Sequence, residues 1–303
     1  MAFPGTELLE VAPTTVGTTC AGGGKVFGIG SGQTAIMDAS TSEAHLYTSP
    51  GSNNWHRDGY LDVTASGAYS TATSKAWYGT VGYFNYITAS GITGSVSSGT
   101  PTGNSGYPYY RMLYCNNLAT TGDYVWGQWK LSTDLDTYYW ARLTISTSSV
   151  YYSSVGYSPF PAGGAIGVGG YMYAASGTTV TQYNPSDGTS TGTTYTLPLA
   201  AASYPTLEGS TIYWAASSGV VWLDTSSGVT GGVAATPSGL PAPVVRPTIL
   251  SGVLYWLSSG DKMVAVKLST GQWKEDTLVT NRANRFGINA ASGKLWIPTI
   301  TTP

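Results

Sequence analysis

The stretch SGVLYWLSSGDKMVAVKLSTG, Ser251–Gly271, sets two short apolar runs on either side of a Gly-Asp turn and closes on Ser-Thr-Gly. The runs are rich in β-branched and aromatic residues, too short for an ordinary helix and bounded by turn formers, so they read as paired β-strands. A lone two-stranded hairpin is marginally stable in water and needs more strands around it. The sequence supplies them, because the phrase recurs upstream as EGSTIYWAASSGVVWLDTSSG (208–228) and as GGYMYAASGTTVTQYNPSDG (169–188). Looser copies are GDYVWGQWKLSTDLDTYYWARLTIS (122–146), SKAWYGTVGYFNYITAS (74–90) and GGKVFGIGSGQTAIMDAS (23–40), while SGKLWIPT (292–299) carries only a first strand.

Aligning the copies makes Phe27, Trp77, Val125, Tyr173, Tyr213, Tyr255 and Trp296 equivalent strand centres. Their spacing of roughly 40 to 50 residues is the period of a four-stranded β-propeller blade. Pieces such as GTTYTLP (192–198) and YPTLEG (204–209) lie between the copies and fit an outer strand and the next inner strand. The expected fold is therefore all-β, a seven-bladed β-propeller of four-stranded antiparallel blades, with residues 1–303 forming one domain. The seventh copy is short of strands, and an N-terminal strand at about residues 5–12 (GTELLEVAP) is expected to complete the C-terminal blade and close the ring. Closure removes the open sheet edges that invite aggregation.

The segment AVKLSTGQW, Ala265–Trp273, resembles the signature of PQQ-type repeats, with an Ala, Thr-Gly and a following Trp, although Lys267 stands where that signature has an acid. Asp224 in VVWLDTSSG keeps the acid and lacks the Trp. The chain is thus similar to the broad superfamily of PQQ-, YVTN- and WD-like blades. The resemblance implies the fold and carries no PQQ chemistry with it.

Composition limits the partners. Charged residues are 9% of the chain, with 13 basic and 15 acidic side chains and a net charge of -2, which gives no electrostatic footprint for nucleic acid or an anionic membrane. No apolar window is long enough to span a membrane, and MAFPGTELLEVAP lacks the basic start and apolar segment of a secretory signal. Cys20 and Cys115 lie far apart without metal-ligand spacing and read as free, buried small side chains or a disulfide. Neither His45 nor His56 has a second ligand at metal spacing, and the Asp134/Asp136 pair offers too few oxygens for calcium. No metal and no cofactor are expected.

Candidate ligand-binding residues come from two patterns. The string NNWHRDGY (53–60) is the most polar-aromatic cluster of the chain and nominates Trp55, His56 and Arg57, read as part of a long insertion between blades one and two. Arginine is scarce, yet Arg111, Arg246 and Arg285 each stand just before or at an expected inner strand. A propeller gathers such positions around one end of its central channel, where guanidinium forks suit an anionic or hydroxyl-rich ligand or else bond loop carbonyls. Tyr110 beside Arg111, within Gly, Pro and Asn, offers an aromatic face to a sugar or a protein.

These observations are read as a non-enzymatic binding or structural propeller with no catalytic residue. The Gly/Ser/Thr/Tyr-rich, low-charge texture resembles bacteriophage tail and host-attachment proteins. That resemblance implies a virion location, other virion or assembly proteins as partners, a host-surface glycan as ligand, and a homo-oligomer as an open option; the other location is the cytoplasm. The alternatives are a cytosolic-type propeller lectin and a sialidase-like hydrolase or lyase. The last is disfavoured because no S-x-D-x-G-x-T-W box and no paired carboxylates stand at inner-strand positions.

Overall fold

The computed structural model describes residues 24–28, 33–38, 43–48, 52–57, 68–70, 75–80, 83–88, 93–97, 112–131, 138–152, 159–161, 164–202, 204–244, 246–259, 262–277, 289–291 and 294–296. Within them every regular element is a strand. The first sheet is β1 (Gly24–Gly28), β2 (Gln33–Asp38), β3 (Glu43–Thr48) and β4 (Ser52–Arg57). The second is β5 (Ala68–Ser70), β6 (Lys75–Thr80), β7 (Tyr83–Thr88) and β8 (Thr93–Ser97), and the third is β9 (Met112–Thr121), β10 (Tyr124–Leu131), β11 (Tyr138–Thr144) and β12 (Ser149–Tyr152). The fourth is β13 (Ala165–Val168), β14 (Tyr171–Ser176), β15 (Thr179–Tyr183) and β16 (Ser190–Thr196). The fifth is β17 (Thr206–Glu208), β18 (Thr211–Ala216), β19 (Gly219–Asp224) and β20 (Val229–Ala234), and the sixth is β21 (Thr248–Leu250), β22 (Val253–Ser258), β23 (Lys262–Lys267) and β24 (Trp273–Thr277). A two-stranded sheet of β25 (Asn289–Ala291) and β26 (Lys294–Trp296) follows.

Each sheet is an antiparallel meander in chain order, so short turns suffice within it. The first strands of successive sheets touch one another, from β1 to β5, β5 to β9, β9 to β13, β17 to β21 and β21 to β25, and β25 returns to β1. The first strands therefore face inward and the fourth strands outward.

The core lies between sheets. Tyr173 and Val180 of the fourth sheet pack with Ile212, Trp214 and Val221 of the fifth, and Ala215 and Val220 on its other face meet Leu254, Trp256 and Val264 of the sixth. A middle strand covered on both faces has no need of alternation, and all six residues of Val253–Ser258 are buried. This explains why the two runs of the 251–271 stretch are nearly continuous in apolar residues. A fully buried Leu, Val or Trp there contributes about 1.5–3 kcal/mol.

The expected strand centres Trp77, Val125, Tyr173, Tyr213, Tyr255 and Trp296 all fall on second strands, each in register with a first strand. Phe27 falls instead on β1, a first strand, so the first copy is one strand out of step with the others. Its second strand, QTAIMD, carries no aromatic, which removes the marker that aligned the rest. The expected closing strand at residues 5–12 lies outside the described residues.

Candidate functional site

Since the first strands run the same way around the ring, their starting residues gather at one end of the channel. Three described residues mark that end. Ala165 opens β13, Tyr204 stands before β17, and Arg246 stands before β21. The Arg246 Nη2 donates to the Ala165 carbonyl at 3.4 Å, so one side chain reaches from the sixth sheet past the fifth to the fourth. Burial lowers the Arg246 pKa to about 10, and the nearby Tyr204 acts weakly in the opposite sense. The guanidinium is still charged at neutral pH, but it has given up much of its water. Tyr204 is held at a φ of 68°, a left-handed backbone that a bulky side chain adopts only under constraint.

The second-strand tyrosines are a different matter. Burial raises the pKa of Tyr173, Tyr213 and Tyr255, with Glu208 adding to the effect at Tyr213. Gln182 donates to the Tyr173 hydroxyl at 2.8 Å and its own side-chain oxygen accepts from Thr191 at 2.9 Å, a chain that ties three strands of one sheet together. These phenols are structural and stand far from acid–base work at neutral pH.

Of the residues nominated from sequence, only Arg246 has a described side chain, and it joins the segment before β21 to the first residue of β13. Arg111 directly precedes β9, and it, Tyr110 and Arg285 lie outside the described residues. Trp55, His56 and Arg57 belong to β4, where the register sets them opposite His45, Ala44 and Glu43. The first part of NNWHRDGY is thus the outermost strand of the first sheet, and not an insertion between sheets. The string reads as a loop because its Asn, His and Arg lack strand propensity, which an outer edge tolerates. Among the described residues no group of three His, Cys, Asp or Glu side chains is placed to hold a metal ion.

No protein-family model and no curated protein matches the sequence. Solved structures do match. A streptogramin B lyase is 14% identical, with 92% of this chain and 91% of that chain covered, at a TM-score of 0.60. A catalytically inactive His-to-Ala variant of virginiamycin B lyase from Staphylococcus aureus, with quinupristin, is 14% identical over 93% of each chain at 0.59. BamB from Moraxella catarrhalis is 14% identical, covering 91% of this chain and 90% of that one, at 0.51. Together with the radial four-stranded sheets, these settle the architecture. The chain is a β-propeller.

At such identity the likeness is one of fold, and propellers serve many functions. It still corrects one expectation. The non-enzymatic reading rested on the texture of the propeller and on missing sialidase motifs, whereas two of these neighbours are lyases that share the arrangement over nine-tenths of the chain. The expectation that the protein is no enzyme therefore does not stand. Nothing in the comparisons points to a phage particle either.

Sequence reasoning missed Tyr204 and a second cluster between the third and fourth sheets. Left-handed backbone at a tyrosine has no sequence signature. The second cluster joins residues from three strands of the third sheet and a turn of the fourth, which only register and packing between sheets bring together.

Proposed function

We propose that this propeller binds a carboxylate-bearing, hydroxyl-rich ligand, such as an acidic surface glycan, at the channel end where Arg246 stands. The observation that carries the reading is the desolvated guanidinium reaching across the fifth sheet beside a strained Tyr204. A charge removed from water favours an incoming anion more strongly than an exposed one does. The described connection before β21, residues 235–247, is one of the longer ones between strands, and Arg246 stands near its end.

The test is retention on arrays of uronic- and sialic-acid glycans and their neutral counterparts. Preference for the acidic members is expected, with Arg246→Met reducing affinity at least about tenfold and Arg246→Lys less. Equal binding of acidic and neutral members, or acidic binding unchanged in Arg246→Met, overturns it.

A second reading, lyase turnover of a ligand at the same end, is favoured by the lyase neighbours. It differs from the virginiamycin B lyase case in one respect. That enzyme is inactive in a His-to-Ala variant, and the two histidines of this chain, His45 and His56, lie on β3 and β4, away from the first strands. Incubation with quinupristin, followed by chromatography and mass spectrometry, separates turnover from binding.

A further inference from the structure

The cleft between the third and fourth sheets holds a second constellation, and it does not depend on Arg246. Val125, Ala141 and Leu143 pack toward Trp77 and Phe84 of the second sheet. Strand alternation then turns Tyr124, Trp126, Arg142 and Tyr151 toward the fourth sheet, where Trp126 and Tyr124 join the core around Phe160, Met172 and Ala174. The register places Arg142 between Trp126 on one side and Tyr151 on the other.

The guanidinium of Arg142 is sandwiched between two phenol rings, 5.5 Å from the Tyr124 centroid and 5.1 Å from that of Tyr151. Stacking engages its faces and leaves its edge of donors for hydrogen bonding. Its Nε is shielded from solvent and finds no acceptor among the described residues. That buried donor is one that a ligand oxygen can satisfy. Tyr151 leaves 48% of its surface exposed, so one ring of the sandwich also faces outward.

The far wall is the turn between β15 and β16. Trp126 Nε1 donates to the Pro185 carbonyl at 2.7 Å and ties that turn down. Asp187 lies in the same turn. Its carboxyl accepts from the Thr189 amide at 2.9 Å and hydroxyl at 2.7 Å, and it lies within reach of the charge on Arg142. The cleft thus presents a donor fork, a carboxylate and an aromatic face. A bare anion drawn to Arg142 meets the charge on Asp187, whereas a polyhydroxyl both accepts from the one and donates to the other.

We propose that this cleft is a saccharide-binding site, taking a neutral sugar ring against Tyr151 with Arg142 donating to neighbouring hydroxyls and Asp187 accepting from one. Aromatic faces suit the apolar face of such a ring, and the guanidinium fork suits a pair of adjacent oxygens.

The probes are the methyl glycosides of glucose, galactose, mannose and fucose, with glucuronic acid beside them, titrated onto the full chain by calorimetry and followed by saturation-transfer NMR. At least one neutral glycoside is expected to bind saturably. Tyr151→Ala and Arg142→Lys should each weaken it about tenfold or more. Val229→Ala, on an exposed side chain of the fifth sheet, should leave it unchanged. Tyr151→Ala removes a half-exposed ring, so its melting temperature should stay within about 2–4 °C of the parent. The proposal is overturned if no neutral glycoside binds at millimolar concentration, if binding survives both variants, or if glucuronic acid alone binds through Arg142. Tyr151→Ala and Arg142→Lys leave Arg246 in place and Arg246→Met leaves the cleft in place, so the array repeated with each variant separates the two sites, and either proposal can fail without the other.

Discussion

Gly271 ends the stretch on which the fold is read, and its surroundings show why the turn needs it. Its φ is 70°, and a Cβ there would run into the Ala234 carbonyl at the end of β20. The Thr236 amide donates to the Gly271 carbonyl at 2.9 Å, so this turn of the sixth sheet leans on the fifth. Gly252, with a φ of 73°, has open space around its Cβ position. The pair separates two costs. Gly252→Ala should cost only the left-handed strain, about 1–2 kcal/mol. Gly271→Ala should cost about 2–4 kcal/mol, because crowding against backbone adds to the strain. Urea unfolding of both variants checks this, and equal costs would mean that the approach to Ala234 is unimportant. A Ser-Thr-Gly turn was legible as a turn from the residues alone. That its glycine is also a contact between sheets was not, since the partner lies in another repeat.

At the scale of the element, the turn after β19 shows how a nearly uncharged chain stabilises its hairpins. Asp224 accepts from the Ser226 amide at 3.0 Å, the Ser226 hydroxyl at 2.7 Å, the Ser227 hydroxyl at 2.7 Å and the Ser210 hydroxyl at 3.0 Å. These donors favour the carboxylate, the Ser226 side chain first, and hold its pKa well below the ordinary carboxylate value. The folded state then binds protons less readily than the unfolded one. The resulting stability is present above about pH 4 and is lost as the pH falls below it. Asp224→Asn should lower the urea midpoint at pH 7, and the gap from the parent should close as the pH drops below about 4. A gap that persists in acid would show the turn to be indifferent to charge. The D-T-S-S-G string announces this device in sequence because donors and acceptor are local. Strand phase in the first sheet was less legible. GKVFG carries an aromatic but is a first strand, and the QTAIMD that follows it has none, so the repeat marker pointed to the wrong member of the hairpin. The Arg142 cleft was least legible of all, because Tyr124, Arg142, Tyr151 and Asp187 meet only through register and through packing between sheets.

For the whole molecule the open point is closure. Six of the sheets carry four strands among the described residues, whereas β25 and β26 form a sheet of two. β25 touches both β21 and β1, so this short sheet is the one that joins the last full sheet to the first. Left at two strands it would expose the edge of β26 and leave sheet faces on either side without cover, a costly and aggregation-prone arrangement. The GTELLEVAP segment (5–13) resembles the outer-strand pieces in sequence and precedes β1, so it is suited to supply a missing edge. If it does, a chain lacking residues 1–14 should melt well below the parent and aggregate, and a synthetic GTELLEVAP peptide added in trans should raise the melting temperature with saturable dependence on its concentration. The peptide arm matters because truncation alone could act through any lost contact, whereas recovery requires an empty edge that accepts a strand. An unchanged melting temperature in the truncated chain would mean that the ring does not use this segment and is held at the β25–β1 contact by other means. The same logic bears on function. A channel end built from segments that precede the first strands keeps its geometry only while the ring is closed, so loss of acidic-glycan retention in the truncated chain, restored by the peptide, would tie the site around Arg246 to the closure of the propeller.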